Sequence, residues 1–325
     1  MSDSLQRIHV SIGTVGVLNL AAVPMETSPT TAYLMLGGRC AMNCAFCAQA
    51  HDSQASDLLL SRVTWPEYSL GDVLAGLITA AQRGDIRRVC IQVTVSKESY
   101  HQTLDAVRAI KQSVPELPID VAVLPQDMAQ VDELLQAGVD HVGIGLDAAS
   151  RSVFERVKGG RWKKALSLVE ETAIRHPGRV AVHLIVGLGE TEREVVEMIQ
   201  HWYDRGVTVG LFAFTPVRGT PLGGFPPPPL DVYRRLQVAR YLIYERQIVI
   251  DNFAFSEDGE LVDFGVGDLE CLLGDGEAFR TSGCPDCNRP FYNERPGGVM
   301  YNYPRSLTVS EFHRAVAEMD PKPEC

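Results

Sequence analysis

The chain has 325 residues, a net charge of −11 and 45% hydrophobic residues, a composition typical of a globular protein with one large α/β domain and an extension. Its acidity argues against broad electrostatic binding to nucleic acid or an anionic membrane. No stretch approaches the roughly 20 apolar residues of a membrane span, and no signal-peptide core is present. The eight cysteines then favour reduced, metal-binding thiols over a disulfide framework, and we expect a cytoplasmic protein.

Strand and helix patterns alternate from residue 31 to residue 249, after a lead-in over residues 1–30 with a possible strand at residues 8–12. The predicted strands are Thr31–Leu36, Arg88–Thr94, Ile119–Leu124, His141–Leu146, Val180–Val186 and Thr208–Phe214. The predicted helices are Ser69–Gln82, Gln102–Val114, Asp127–Gln136, Ser150–Val157, Lys163–Arg175, Thr191–Trp202 and Leu230–Glu245. This alternation predicts parallel βαβ units, as a β/α barrel or as a doubly wound sheet. Over residues 250–325 Gly, Asp, Cys and Pro rise, and we predict a separate C-terminal region.

The stretch that follows the first predicted strand carries the most specific signal. Three residues separate Cys40 from Cys44, and two separate Cys44 from Cys47. Three thiolates on a short loop can hold three irons of a [4Fe–4S] cluster and leave the fourth iron open to a small molecule. Zinc usually takes four ligands, and His51 is the nearest candidate for a fourth.

This spacing, with Phe46 directly before the last cysteine, resembles that of the radical S-adenosylmethionine (SAM) enzymes. The resemblance implies that the open iron is chelated by SAM and that one electron cleaves SAM to a 5′-deoxyadenosyl radical, which takes hydrogen from the substrate. It also implies that Phe46 packs near the adenine. For the fold it favours a partial (β/α)6 TIM barrel over residues 31–249, rather than a doubly wound sheet.

The stretch after the fifth predicted strand resembles a SAM-binding part of biotin and lipoyl synthases. Gly187, Gly189 and Glu190 follow the fifth predicted strand, where glycines allow close approach of a ligand; alone, the same pattern is often a tight turn. Asp147 ends the fourth strand, and it could bind ribose hydroxyls or cap the next helix.

The same resemblance implies that two further side chains contact SAM. Lys164 lies nearest the arginine that binds the SAM carboxylate in biotin synthase, although a solvated helix face explains it equally well. Thr94 lies, with Gln92, where relatives carry a Gly-Gly-Glu-like motif for the SAM amino group.

Cys90 resembles a cysteine on the second strand of biotin synthase that ligates a second cluster. The other cysteines of that cluster have no counterpart here, so Cys90 is expected to be a packed core thiol. His183 could face the active chamber, but a satisfied core histidine is the simpler interpretation.

A second cysteine group lies in the C-terminal region, at Cys271, Cys284 and Cys287, and its spacing suits zinc or iron–sulfur. Ser306 follows an arginine in an order that resembles the serine-ligated tail of single-chain lipoyl synthases. The resemblance implies an auxiliary [4Fe–4S] cluster with Ser306 as a labile, catalytic ligand. Cys325 could take that place instead, or Ser306 could merely precede the final helix.

Taken over residues 30–310, the chain resembles a subunit of the divided, two-protein lipoyl synthases. That resemblance implies sulfur insertion at C6 or C8 of an octanoyl chain on a lipoyl carrier protein. It also implies a second radical SAM subunit and an electron donor such as ferredoxin or flavodoxin. Another radical SAM enzyme with an electron-transfer cluster, or a non-catalytic iron–sulfur or zinc subunit, remains open.

Overall fold

The computed structural model describes residues 5–274, 276–290, 292–294 and 297–319. Its strands are β1 (Arg7–Val10), β2 (Thr31–Leu36), β3 (Leu59–Leu60), β4 (Val63–Thr64), β5 (Glu67–Ser69), β6 (Arg88–Val93), β7 (Ile119–Val123), β8 (His141–Asp147), β9 (Val180–Val186), β10 (Thr208–Ala213), β11 (Ala254–Phe255) and β12 (Leu261–Asp263). Its helices are α1 (Ile12–Val17), α2 (Leu70–Arg83), α3 (Ser99–Ser113), α4 (Met128–Gln136), α5 (Arg151–Val157), α6 (Trp162–Arg175), α7 (Glu192–Tyr203), α8 (Leu230–Arg246), α9 (Leu269–Leu273) and α10 (Val309–Ala317). The alternation of strands and helices predicted from the sequence is confirmed.

Eight strands form one mostly parallel sheet in the order β10-β9-β8-β7-β6-β2-β1-β5. The run from β2 to β10 is parallel and follows the chain order, whereas β1 pairs antiparallel with both β2 and β5. A doubly wound sheet requires a reversal of strand order, and these six strands have none. The strand order therefore does not match a doubly wound sheet, and the partial barrel stays a prediction. Residues 1–30, predicted as a lead-in, supply β1 to the main sheet.

The helices form where apolar periodicity coincides with capping residues. Ser69 caps α2 by accepting from the Asp72 N–H at 3.1 Å, and Gly84 ends that helix in the left-handed conformation at φ 73°. Thr191 and Glu194 form a reciprocal capping box at the start of α7. The strands are rich in buried Val, Ile and Leu because helices cover one of their faces.

The C-terminal region packs against α8 and then returns to the sheet. Arg234 of α8 is fully buried and donates to the carbonyls of Tyr301 at 2.7 Å and Met300 at 2.5 Å. A parallel bridge joins Arg280 to Tyr303. These contacts tie Met300 and Tyr301 to α8, and the Leu211 N–H of β10, which donates to the Ser282 hydroxyl at 3.0 Å, ties the region to the sheet. None of the helices in the described ranges is long and apolar enough to cross a membrane.

Candidate active site

A cavity of about 240 Å³ lies at the carboxyl ends of the parallel strands. Its walls include residues from β6, β7, β8, β9 and β10, namely Gln92, Ala122, Gly145, His183 and Phe212. One face of the parallel sheet therefore lines the cavity. Sites at the carboxyl ends of strands are the rule in β/α folds.

The loop between β2 and β3 brings three thiols to this cavity. Cys40, Cys44 and Cys47 are half-buried and all line it. The Val95 N–H donates to the Cys40 sulfur at 3.2 Å, which ties the loop to the end of β6. Phe46 also lines the cavity and packs with a small apolar cluster that includes Phe214, so the predicted aromatic lies beside the thiols.

The three thiols suit a cluster better than a single ion. Within the described ranges, no three His, Cys, Asp or Glu side chains converge closely enough to hold one metal ion. In an iron–sulfur cluster each thiolate binds its own iron, so the sulfurs do not need to converge. Burial raises the pKa of Cys44 to about 12 and that of Cys47 to about 11, so their deprotonation must be coupled to metal binding.

Asp147 faces the cavity in a strained backbone conformation. Its φ is 66°, and the register of β8 against β9 shifts between Gly145 and Asp147. A non-glycine residue in this region is uncommon and costs on the order of 1–3 kcal/mol. Asp147 does not cap α5, because the capping position belongs to Ser150. This excludes the capping alternative and leaves the carboxylate on the cavity wall.

Lys158 is the cation that the cavity offers. Its Nζ lies 2.6 Å from the Asp147 carboxylate, and the two side chains are only 8% and 16% exposed. It also donates to the Gly145 carbonyl. Burial lowers the pKa of Lys158, but the Asp147 carboxylate, together with the nearby Cys44 and Cys47 sulfurs, raises the pKa above its ordinary value.

Two of the predicted SAM contacts do not offer a free side chain to this cavity. Lys164 is exposed on α6 and does not line the cavity, because its helix turns that position toward solvent. Thr94 is buried, and its hydroxyl lies 2.8 Å from the Gly38 carbonyl and 3.3 Å from that of Leu36. Thr94 therefore holds the base of the cysteine loop rather than offering a free hydroxyl to the cavity.

The turn after β9 lies beside a different pocket. Gly187 and Gly189 have φ values of 100° and 115°, and both line a pocket against the Pro226–Pro229 run, together with Glu190. One oxygen of Glu190 accepts from the Ala149 N–H at 3.2 Å, and the other is buried with no hydrogen-bond partner among the described residues. The three residues, all predicted to contact SAM, therefore do not line the cavity that Cys40, Cys44 and Cys47 line.

A smaller cavity of about 40 Å³ shares walls with the first and lies toward the amino ends of the strands. The two cavities share Gln92, His183, Phe212 and Tyr292. Cys90, Cys284 and Cys287 line the smaller one. Cys90 and His183, expected to be core residues, therefore also line the interior, and burial lowers the pKa of His183 to about 4.

The predicted tail ligands are not brought together. Cys271 is exposed on the short helix α9, and neither it nor Ser306 lines a cavity with Cys284 and Cys287. Ser306 is exposed two residues before Thr308, the N-cap of α10. The structure thus agrees with the alternative in which Ser306 precedes a helix. Cys325 lies outside the described residues.

Three cavity residues carried no clear signal in the sequence. Lys158 follows the end of α5, and only its tertiary surroundings distinguish it from the lysines on the surface. Tyr292 and Asn293 reach the cavity from the C-terminal region, where Asn293 donates to the Ala213 carbonyl at 2.8 Å. The aromatic residues after Cys287 are the one feature that could have pointed to them.

Comparisons with known proteins agree with this geometry. Residues 34–201 match the family model of the Radical SAM superfamily. A biotin synthase from Chlorobium phaeobacteroides is 31% identical over 65% of this chain and 64% of its own length. A biotin synthase from Sulfurihydrogenibium sp. is 27% identical, over 57% of this chain and 55% of its own. A lipoyl synthase from Aliivibrio fischeri is 27% identical, over 55% of each chain.

The chain thus spans between half and two thirds of these relatives. Solved structures share the fold. HydG, a maturase of the [FeFe]-hydrogenase, has a TM-score of 0.54 at 12% identity, over 66% of this chain and 50% of its own. Methylornithine synthase has a TM-score of 0.51 at 15% identity, over 65% of this chain and 62% of its own. At such identities the likeness concerns the fold alone.

Proposed function

The chain belongs to the radical SAM superfamily and uses a [4Fe–4S] cluster with SAM, and from this premise we propose that it inserts sulfur into a protein-bound octanoyl chain. We assign Cys40, Cys44 and Cys47 to the SAM cluster. The observation that carries the proposal is a single interior with thiols at both ends, three at the carboxyl ends of the strands and three near their amino ends. Relatives that are biotin and lipoyl synthases support sulfur chemistry.

A [4Fe–4S] cluster held by Cys40, Cys44 and Cys47, with SAM, would supply removal of a hydrogen atom from an unactivated C–H bond, and an auxiliary [4Fe–4S] cluster would supply the sulfide and accept the remaining electron. The residues of the chain position these groups and exclude water. Asp147 and Lys158 offer a carboxylate and a cation beside the three thiols. We propose that they bind the polar groups of SAM, the carboxylate being suited to ribose hydroxyls.

An apolar cavity of about 480 Å³ supports an acyl substrate. It lies between the lead-in and the β3–β4 hairpin, with Ile12, Val23, Pro24, Met25 and Val63 on its walls. It shares Tyr33, Trp65, Arg289 and Tyr292 with the smaller interior cavity. An octanoyl chain on a carrier lysine is flexible and apolar, and its burial in such a cavity is favourable. We therefore propose this cavity as the acyl path.

The proposed substrate, partners and cellular location follow from the same chemistry. We propose an octanoylated lipoyl carrier protein as the substrate, with a second radical SAM subunit as partner. A ferredoxin or flavodoxin would deliver the electron. We place the chain in the cytoplasm, where thiols remain reduced. Cys284 and Cys287 are the part of the predicted auxiliary ligand set that lies together.

A second candidate reaction is sulfur insertion into the sulfur-free precursor of biotin, because several of the similar relatives are biotin synthases. Both reactions place sulfur at unactivated carbon. They differ in whether the substrate is a small molecule or an acyl group on a protein.

One anaerobic incubation separates these possibilities. Reconstituted protein receives SAM, dithionite and either an octanoyl-lysine peptide or the biotin precursor, and mass spectrometry follows sulfur addition. The variant with Cys40, Cys44 and Cys47 replaced by Ala serves as the control. We expect sulfur on the peptide with the unmodified protein alone. Sulfur on the precursor would favour the second candidate. SAM cleavage without sulfur transfer would indicate another radical SAM reaction, and no SAM cleavage would indicate a non-catalytic subunit.

A further inference from the structure

The C-terminal Cys284–Cys287 turn lies against the amino ends of β2 and β6. Thr30, at the start of β2, donates from its hydroxyl to the Asp286 carbonyl at 2.6 Å. Arg88, the first residue of β6, donates to the Pro285 carbonyl at 2.9 Å. The Cys287 N–H closes the turn on the Cys284 carbonyl at 3.2 Å. The turn therefore covers the end of the interior opposite to the SAM-cluster loop.

Cys90 faces this turn from within the sheet. It lines the same small cavity as Cys284 and Cys287, and the Gln92 amide donates to its sulfur at 3.0 Å. The Tyr33 hydroxyl, from the neighbouring strand, lies 3.4 Å from the Cys287 sulfur. Three half-buried thiols, one of them distant in sequence from the other two, thus line one space. Within the described ranges they do not converge on the position of a single ion, which argues against mononuclear zinc.

Asp120 gives an independent sign of a missing occupant. It is 4% exposed, pairs in register with Cys90 across β6 and β7, and lines the same cavity. Its Oδ1 atom accepts from Arg88 at 2.7 Å and lies 3.0 Å from the Nδ1 atom of His141, but its Oδ2 atom is buried with no hydrogen-bond partner among the described residues. A buried carboxylate oxygen without a donor is costly unless a cation or metal binds it.

Arg289 adds complementary charge. Its guanidinium lies 3.7 Å from the centre of the Phe212 ring and donates to the Ser282 carbonyl at 2.7 Å. No carboxylate of the described chain lies within salt-bridge distance of it. A partly buried arginine of this kind favours an anionic neighbour. An iron–sulfur cluster held by thiolates carries net negative charge.

We propose that Cys90, Cys284 and Cys287 hold the auxiliary [4Fe–4S] cluster, with Asp120 as the ligand of the fourth iron. Four ligands then serve four irons. An oxygen ligand is a poorer match than thiolate for iron in a sulfide cluster, so this iron is the one most easily released. The inference deepens the proposed function, because it places the sulfur source across the interior from SAM. At about 3.3 Å per residue along β6, Cys90 lies about 10 Å from Val93 on the wall of the larger cavity.

The test isolates this site by removing the other one. In full-length protein with Cys40, Cys44 and Cys47 replaced by Ala, anaerobic reconstitution should leave about four irons and four sulfides per chain. Adding Cys90→Ala, or Cys284→Ala with Cys287→Ala, should remove most of that iron. The matched controls Cys271→Ala and Ser306→Ala, at exposed positions, should retain it. Iron, sulfide and zinc are measured without SAM or substrate, so a failed sulfur transfer does not affect this result.

Circular dichroism identifies variants that fail to fold, and Cys90→Ser gives a second measurement. A serine oxygen in place of one thiolate should change the electron paramagnetic resonance spectrum of the reduced cluster. Full iron content in the Cys90→Ala variant, loss of iron in Cys271→Ala, or stoichiometric zinc in place of iron would overturn the proposed ligand set.

Asp120→Asn tests the fourth ligand. This nearly isosteric change keeps an oxygen for Arg88 but weakens binding to iron. We expect the cluster to assemble with a changed resonance spectrum and to lose one iron faster on oxidation. An unchanged spectrum and unchanged iron retention would remove Asp120 from the ligand set.

Discussion

Lys158 and Lys164 show how tertiary surroundings separate residues of the same type. Lys158 forms a buried pair with Asp147 at 2.6 Å on the cavity wall, whereas Lys164 is exposed on α6. The sequence alone offered Lys164 as a candidate and gave no signal for Lys158. The choice between them depends on where the chain turns after α5, and local pattern does not encode that turn.

We predict that Lys158→Met slows 5′-deoxyadenosine formation by at least about tenfold, because a charged group that orients ligands beside the cluster is lost. The change also leaves Asp147 buried without its partner, at a cost of about 3–5 kcal/mol in the free energy of unfolding. The matched variant Lys164→Met should change the activation free energy of SAM cleavage and the free energy of unfolding by no more than about 0.5 kcal/mol each. Urea denaturation and chromatography of the nucleoside measure the two effects. Slower cleavage in Lys164→Met alone would restore the original assignment.

Gly37 is a second position where a single added atom is expected to displace the cysteine loop. Its φ is 88°, and a Cβ added there would lie 2.2 Å from the Thr94 hydroxyl oxygen. Gly38 has no heavy atom within 4 Å of such a Cβ. We predict that Gly37→Ala costs at least about 1–2 kcal/mol and displaces the cysteine loop, so that iron bound after reconstitution falls. Gly38→Ala should bind iron normally. Equal iron content in the two variants would show that the loop tolerates the displacement.

At the scale of elements, the αβ alternation is readable because each strand and helix carries its own pattern. β2 (Thr31–Leu36) and β9 (Val180–Val186) have the predicted bounds, and the other parallel strands differ by one residue at an end. The C-terminal region has little periodicity, so its path was not readable. Its position depends on single side chains from α8, such as Arg234, that no local pattern reveals.

We predict that Arg234→Met loosens the C-terminal region from α8. Arg234 is fully buried and also pairs with Glu318 at 3.0 Å, so its removal leaves a carboxylate and several carbonyls unpaired, at about 3–5 kcal/mol. Arg7→Met, which removes an exposed pair with Glu67, is the control and should cost at most about 1 kcal/mol. Urea denaturation measures the stability of each variant, and limited proteolysis around Cys284 measures how firmly the C-terminal region is held. Similar stability of the two variants would contradict the role of Arg234 as an anchor.

For the whole molecule, the two thiol groups differ in how far the sequence reveals them. Cys40, Cys44 and Cys47 lie in one loop, so their spacing alone predicts a cluster. Cys90 joins Cys284 and Cys287 only because the chain returns across the amino ends of the strands, and most of the chain lies between them. Sequence reasoning therefore grouped the C-terminal thiols with the nearby Cys271 and Ser306, which the fold places elsewhere.

We propose that SAM binds at one end of the interior and that a sulfur source lies at the other. We further claim that the sulfur in the product comes from the protein's own cluster. The direct measurement is a single-turnover reaction of protein reconstituted with ³⁴S-labelled sulfide and freed of excess sulfide, given SAM, dithionite and octanoyl-lysine peptide, with mass spectrometry of the peptide. We predict a thiolated peptide that carries ³⁴S, in an amount no greater than that of the protein. A thiolated peptide without ³⁴S, or SAM cleavage with no thiolated peptide, would contradict the claim.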